Sequence, residues 1–298
     1  MLLKLKFIKY KVLRRFLEHV FYIAVTLLIV PISYFETFIV LPTIMEHWSL
    51  ALSCHLGFLS FLIYNISGNI IYGMFTNTTI KGKTLEGFNK DDWTLCSVCE
   101  CLRPPRAWHC DTCDVCVLKR DHHCRFIACC VGYFNHRYFM LLTFYIAISM
   151  FYCFYINIKF LSLTFTWNHM IVLKFICPIG GLVLDCGSES AFVFLLVLNV
   201  LNGIANVFLF VYHFNNLLRG RLVPETWSSS KYFVHDKGWK LNVIEVFGSR
   251  WYLTWISPTI HSKLPGNGIE WPIDNKYKTY YTKYLISELG VFGCFFVF

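Results

Sequence analysis

Charge is what this sequence has least of. Lys, Arg, Asp and Glu make up 15% of its 298 residues, while 56% are hydrophobic and 18% aromatic. An ordinary soluble domain carries roughly 25% charged residues. A deficit of that size points to a membrane protein rather than to a larger soluble core. Four segments are long and apolar enough for the roughly 20 residues a helix needs to cross a bilayer. They run from Val20 to Leu41, Trp48 to Tyr72, Tyr138 to Phe165 and Ala191 to Phe214. Pro31, Glu36, His55, Asn65, Asn69, Asn199, Asn202 and Asn206 interrupt them. Such residues are expected to face the bundle interior, where neighbouring helices satisfy them or a substrate cavity is lined. Repeats, ankyrin-type or other, are lacking too. So is a small-residue cleavage site behind the basic N-terminus, and the first span therefore reads as an uncleaved anchor.

Basic residues are nearly missing from two of the connections. Segments 42–47 and 166–190 hold one between them, Lys174. Six lie before the first span (Lys4, Lys6, Lys9, Lys11, Arg14, Arg15), nine between 73 and 137, and ten after residue 214. The bias of Lys and Arg toward cytosolic loops then puts both termini and the 73–137 segment in the cytosol. The expected class is an all-α polytopic membrane protein of four transmembrane helices, with a cytosolic cysteine-rich domain between the second and third. Its parts are 1–72 (N-terminus and helices one and two), 73–137 (cysteine-rich domain), 138–214 (helices three and four) and 215–298 (cytosolic C-terminal region).

Nine of the fourteen cysteines fall between 96 and 130, in a compartment where thiols stay reduced. Their clustering argues for metal or catalysis, not for a disulfide framework. Cys177 and Cys186 lie in the opposite loop and could either pair or stay free. The cytosolic module reads Cys96-x2-Cys99-x9-His109-Cys110-x2-Cys113-x2-Cys116-x6-His123-Cys124-x5-Cys130. A C-x2-C pair places two thiolates on one turn, half of a tetrahedral zinc site. Two closed sites need eight donors, whereas 96–130 offers nine cysteines and three histidines. Some are therefore spare. Spacing leaves open whether His122 or His123 ligates, and which of Cys124, Cys129 and Cys130 is free. A cysteine beside a histidine and an aspartate holds the parts of an activated thiolate. On the triplet alone a polar loop aspartate beside a spare buried thiol is the plainer reading, because adjacency in sequence does not guarantee mutual geometry.

The longer pattern is Cys96-x2-Cys99-x3-Arg103-Pro104-x-Arg106-x2-His109-Cys110-x2-Cys113-x2-Cys116-x4-Asp121-His122-His123-Cys124-x5-Cys130-x4-Asn135-x3-Phe139. It resembles the cysteine-rich domain of the DHHC protein S-acyltransferases (palmitoyltransferases), and the order of spans resembles that family's layout. The resemblance implies two interleaved structural zinc sites, Cys96, Cys99, His109 and Cys116 for one and Cys110, Cys113, His123 and Cys130 for the other. It implies Cys124 as nucleophile, His122 as base and Asp121 as the partner that orients it. Cys101 and Cys129 match no functional position. The activity implied is ping-pong transfer of a long-chain acyl group, palmitoyl above all, from acyl-CoA through Cys124 to cytosolic cysteines of membrane-associated proteins. The thiol would lie at the membrane interface, the acyl chain in the bundle and CoA in the cytosol. Arg103, Arg106, Lys119, Arg120, Arg125, Lys231 and Lys237 are candidate cations for the CoA phosphates, with positive-inside topology or anionic lipid as the plainer explanation of each. The implied residence is the endomembrane system, Golgi or endoplasmic reticulum.

Two elements of the family are missing, which marks a divergent subfamily. Where a Thr-Thr-x-Glu element follows the fourth span, this chain has Leu222-Val223-Pro224-Glu225; where Asp-Pro-Gly follows the second, it has Asn77-Thr78-Thr79. Gly238-x3-Asn242-x4-Phe247-Gly248 resembles an element whose asparagine anchors the tail to the bundle. Segment 257–273, rich in Pro, Gly and aromatics, reads as ordered loop or interfacial contact. The final "LGVFGCFFVF" is too short to span. The alternative function is a catalytically inactive, membrane-anchored zinc module that scaffolds other proteins. It accounts for the ligands and spans, but not for an intact Asp121, His122 and Cys124. Nucleic-acid binding through zinc knuckles is disfavoured by the tether between two closely spaced spans.

Overall fold

The computed structural model describes residues 2–46, 49–81, 91–166, 168–185, 187–226 and 235–271. The possible Cys177–Cys186 pairing, Lys231 and the apolar C-terminal tail lie outside the described residues. Helix α1 spans Leu2–Phe35 and passes Pro31, whose ring removes one helical N–H. It runs on through a π-turn, Glu36–Val40, into the short α2, Leu41–Ile44. Helix α3 covers Leu50–Phe75. Among the described residues six strands of three residues each follow: β1 Thr94–Cys96, β2 Cys101–Arg103, β3 Trp108–Cys110, β4 Val115–Val117, β5 His122–Cys124 and β6 Cys129–Val131. Helix α4 is His136–Thr164, α5 His169–Ile176, α6 Pro178–Leu184 and α7 Ser188–Leu218. The short α8, Val223–Thr226, and α9, Trp239–Phe247, complete the order.

Among the described residues three helices, α3, α4 and α7, are long and apolar enough to cross a membrane. In the first expected span, Ile29–Ile44 forms a shorter apolar helix. The chain divides into two compact units. One holds Thr26–Ser67 and Leu142–Val211; the other holds the chain up to Val25, Gly68–Leu141 and the chain from Tyr212 onward.

Among the described residues the regular elements of the first unit are all helices. Val40, Leu41, Leu59 and Ile156 form one apolar cluster, and Leu161, Val193 and Leu196 a second. Glu36 is buried there, and Asn157 Nδ2 donates to its Oε1 at 2.5 Å. His55 Nδ1 lies 2.7 Å from the Tyr152 hydroxyl. Glu36 meets the expectation of an inward-facing polar group, but Asn202 does not. It is exposed, and its amide donates to its own helix at the Leu198 carbonyl, 2.9 Å away. A bond to the i−4 carbonyl satisfies the group without any neighbouring helix. Pro31 is also exposed.

The second unit carries the cysteines. Its strands pair as three antiparallel hairpins, β1–β2, β3–β4 and β5–β6. Segment 78–80 runs beside β4: Leu118 N–H donates to the Thr78 carbonyl and Ile80 N–H to the Cys116 carbonyl, each at 3.0 Å. Asn77 starts that segment with an Asx turn, its Oδ1 accepting from Thr79 N–H at 2.9 Å. That turn occupies the place of the missing Asp-Pro-Gly element. Asn135 then joins three pieces of chain. Its Nδ2 donates to Gly73 at the end of α3 and to Cys130 in β6, at 3.0 and 2.9 Å, while its Oδ1 accepts from Gly132 N–H at 2.8 Å.

The C-terminal segment packs on the module through Ile269 and Trp271, which share a core with Ile80, Cys96, Ala107, Cys116, Leu118 and Tyr133. Asn242 in α9 donates to the Leu218 carbonyl at the end of α7, 2.9 Å away, the anchoring contact expected of it. Gly248 ends α9 at φ +81, and a Cβ there would come within 2.4 Å of Ser262 Oγ. Only glycine fits that position.

Candidate active site

Strand geometry sorts the crowded donors. Successive side chains of a strand point to opposite faces, and cross-strand partners share a face. In β3–β4, His109 stands opposite Cys116, and Cys110 opposite Val115. In β5–β6, His123 stands opposite Cys130, and Cys124 opposite Cys129. The neighbours His109 and Cys110 therefore face opposite ways, as do His122 and His123. The ligand atoms of Cys96, Cys99, His109 and Cys116 lie within 4.8 Å of one another, and so do those of Cys110, Cys113, His123 and Cys130. All eight candidate ligands are thus gathered into the two expected quartets. Three-residue strands are too short to announce themselves by alternation, which is why spacing left His122 and His123 undecided.

The donor chemistry of both quartets fits a zinc ion. Each C-x2-C turn points a backbone N–H back at its first sulfur, Cys99 N to Cys96 Sγ and Cys113 N to Cys110 Sγ, both 3.4 Å. Each histidine turns Nδ1 inward: His109 Nδ1 is 3.2 Å from Cys99 Sγ, and His123 Nδ1 is 3.3 Å from Cys113 Sγ. A ligating imidazole commonly gives its other N–H to a carboxylate. His123 does so, with Nε2 2.8 Å from Oε2 of the buried Glu18 in α1. Burial disfavours the charged His123 ring, but the Cys110 and Cys113 sulfurs and Glu18 outweigh it and hold the pKa up at about 10. Glu18 was not anticipated from sequence, because it stands in a basic stretch 105 residues away from its partner.

His122 and Cys124 share the other face of β5. His122 Nδ1 is 2.8 Å from Oδ2 of Asp121, and its ring meets the edge of Phe139 at 4.6 Å between centroids. Asp121 is buried, and its Oδ1 accepts from the backbone N–H of Val223 at 3.0 Å. Burial opposes its ionisation, but hydrogen bonds from His122 and His213 hold the carboxyl well below the usual range. His213, at the end of α7, places Nδ1 3.2 Å from the same Oδ2. Sequence reading missed it, since a lone histidine closing a span carries no local motif. Cys124 is buried at the start of a 3-10 turn, Arg125–Ile127. Burial pushes its thiol pKa up, and the backbone N–H groups of Ile127 and Phe126 pull the other way. Its cross-strand partner Cys129 turns Sγ to the Gly73 carbonyl at 3.5 Å, and burial pushes that thiol up to about 12. Cys101 stands opposite Cys96 in β1–β2.

A sequence model described as DHHC palmitoyltransferase matches residues 89–230. The mouse protein "Probable palmitoyltransferase ZDHHC24" is 31% identical over 226 residues, 74% of this chain and 78% of its own length. The zebrafish protein "Palmitoyltransferase ZDHHC15A" is 29% identical over 60% of this chain and 51% of its own. "Palmitoyltransferase PFA3" of Debaryomyces hansenii is 35% identical over 107 residues, 31% of this chain and 26% of its own. The chain belongs to the DHHC palmitoyltransferase family.

In this DHHC chain the departures from the family pattern are met locally. The Asp121 contact at 222–225 comes from the main chain of Val223, which needs no hydroxyl side chain. Glu225 receives Arg106, whose Nε and Nη2 donate to its two oxygens at 2.7 and 2.9 Å. Three of the cations suggested for CoA phosphates are committed elsewhere. Arg106 is buried in that pair; Lys119 is buried with Nζ 2.6 Å from Glu245 Oε1; and Lys237 also binds Glu245. All three sit around Trp271, at 4.7, 5.6 and 5.4 Å from its ring. Their charges are met within the protein. They tie the module to α9 and the C-terminal segment. Arg120 lies beside the Cys110 and Cys130 sulfurs, whereas Arg125 is exposed.

Proposed function

We propose that this palmitoyltransferase moves a long-chain acyl group, palmitoyl by preference, from acyl-CoA to cysteine thiols of membrane-associated proteins, with Cys124 as the intermediate carrier. Cys124 Sγ attacks the thioester carbonyl, and His122 Nε2 takes the thiol proton. The C–S bond to CoA breaks, and the CoA thiolate leaves with that proton. In the second half the thiol of a protein substrate gives its proton to His122 and attacks the acyl-Cys124 thioester, restoring the Cys124 thiol. Asp121 fixes the ring of His122 with its proton on Nδ1 and stabilises the imidazolium that forms. The observation that carries this reading is the division of β5: His122 and Cys124 on one face with a buried carboxylate behind the base, His123 on the other among thiols.

The two quartets are read as structural zinc sites. Each has four protein donors and no open position, so bound zinc would supply folding energy and leave the acyl chemistry to the thiol. The organisation is read as four spans, with α1 and α2 forming the first, the cysteine-rich domain at 73–137 in the cytosol, and regions 1–72, 138–214 and 215–298 around it. The charge bias puts both termini on the same side as that domain. Residence in the Golgi or endoplasmic reticulum is part of the same proposal. The inactive-scaffold alternative has no observation in its favour.

The deciding experiment is acyl labelling of the purified protein with palmitoyl-CoA. A hydroxylamine-sensitive adduct is expected on the wild type and none on Cys124→Ala. Undiminished labelling of that variant would remove Cys124 as the carrier.

A further inference from the structure

Asp121 serves two histidines. Oδ2 faces both His122 Nδ1, at 2.8 Å, and His213 Nδ1, at 3.2 Å, while Oδ1 is held by Val223 N–H. An ionised carboxylate can only accept, so each imidazole presents Nδ1–H and keeps Nε2 free. His213 is itself buried, and a buried polar ring is costly unless bonded. The bond it makes is to the one carboxylate behind the proposed base. The two rings also touch, with centroids 4.9 Å apart, and Phe139 meets His213 edge-on at 4.9 Å as it meets His122 at 4.6 Å. His136 offers an internal contrast. It is buried close enough to Asp121 to be felt electrostatically, yet its Nδ1 has no hydrogen-bond partner among the described residues.

We propose that His213 is a positioning residue for acyl transfer: it fixes the carboxylate of Asp121 so that His122 presents Nε2 to the reacting thiol. The proposal rests on the assignment of Cys124 and His122 above. Without His213, rotation of the carboxylate about Cβ–Cγ, which carries both oxygens and His122 with them, is resisted by the single Val223 N–H bond to Oδ1. A second donor on Oδ2 adds to that restraint. His213 touches neither thiol nor substrate in this role and acts entirely through Asp121.

Two substitutions separate the donor from the ring. His213→Phe keeps a flat ring against Phe139 and His122 but has no N–H; His213→Asn keeps an N–H near the place of Nδ1 and loses the ring. Three readouts are taken on the full-length protein in detergent: zinc per chain, autoacylation from palmitoyl-CoA, and alkylation of Cys124 by iodoacetamide without acyl-CoA. We expect zinc unchanged in both variants. In His213→Phe, autoacylation kcat and the alkylation rate should each fall roughly tenfold, a part of the 10²–10⁴ that a general base contributes, with KM for palmitoyl-CoA unchanged. His213→Asn should recover most of both. Equal impairment of the two variants, zinc loss in both, or a His213→Phe protein that matches the wild type would overturn the proposal. If the wild type alkylates in a His213-dependent way but never autoacylates, the positioning role stands and the acyl-transfer reading falls. If the wild type autoacylates and neither variant differs from it, the reverse holds.

Discussion

In the first quartet His109 keeps its outer nitrogen 3.7 Å from Asp111 and 3.8 Å from Asp114, both exposed; in the second His123 hands its own to buried Glu18 at 2.8 Å. The surroundings differ in the opposite sense. Cys96 and Cys116 belong to an apolar core with Leu118, Tyr133, Ile269 and Trp271, whereas Cys110 and Cys130 pack with Val117 alone among buried residues. The first quartet is braced by packing and the second by charge. The quartet that adjoins Cys124 is the one whose ligand is oriented from outside the module. Orientation at β5 thus depends on a helix at the other end of the chain.

The largest effect that would test this contrast is loss of a ligand. His123→Ala should lower zinc from two per chain and abolish cooperative unfolding, since a structural zinc is worth on the order of 10 kcal/mol of folding. His122→Ala, one residue away on the opposite face, should keep both zincs and lose at least about 10²-fold in autoacylation. Elemental analysis and calorimetry on the pair check the division; identical behaviour would break it.

Next comes the buried ion cluster beside the first quartet. Glu245→Gln leaves Lys119 buried without its counter-charge, a change of roughly 3–5 kcal/mol. Burial alone would raise the Glu245 carboxyl, but Lys119, Lys237 and Arg106 bring it below the usual value. A carboxyl depressed in the folded state contributes stability that is complete above its unfolded pKa, about 4.5, and is lost as pH falls through the folded value. Wild type should therefore lose stability on acidification below that point, while Glu245→Gln should lack this part of the slope. Thermal melts across that range read it directly.

A smaller effect is expected at Glu18. Glu18→Gln should speed release of one zinc to a chelator, corresponding to roughly 10–100-fold weaker binding, and leave the other zinc alone. Release from both quartets alike would erase the contrast between them. Smallest of all, Asp111→Asn should shift stability by no more than about 0.5 kcal/mol, because it breaks no hydrogen bond to His109.

The apolar helices were legible because hydropathy is a local property. The runs Trp48–Tyr72, Tyr138–Phe165 and Ala191–Phe214 became Leu50–Phe75, His136–Thr164 and Ser188–Leu218, three of the ends extending through polar residues: His136 and Arg137, Ser188 to Ser190, and Asn215 and Asn216. Helix α1 begins at Leu2, well before its apolar stretch, since lysines and arginines are good helix formers. The small helices α5 and α6 stand where only a loop was expected. The eight candidate ligands could be recovered from their spacing and a family resemblance, because all lie within one short segment. Glu18, His213 and Val223 could not, because they reach the module from remote parts of the chain. Arg106 and Lys119 looked like free surface cations for the same reason: their acidic partners, Glu225 and Glu245, are distant in sequence.

The spacing of these parts has a consequence for synthesis. Every donor of both quartets lies between Cys96 and Cys130, so the full ligand set has emerged before α4 is made. Val223, which holds Asp121, follows it by 102 residues, and His213, near the end of α7, comes only shortly before Val223. A nascent chain can load metal and fold its hairpins while the carboxylate behind His122 still lacks its remote partners. On the proposed roles, the metal ligands are thus complete early and the positioning of His122 late, once α7 and Val223 have been made.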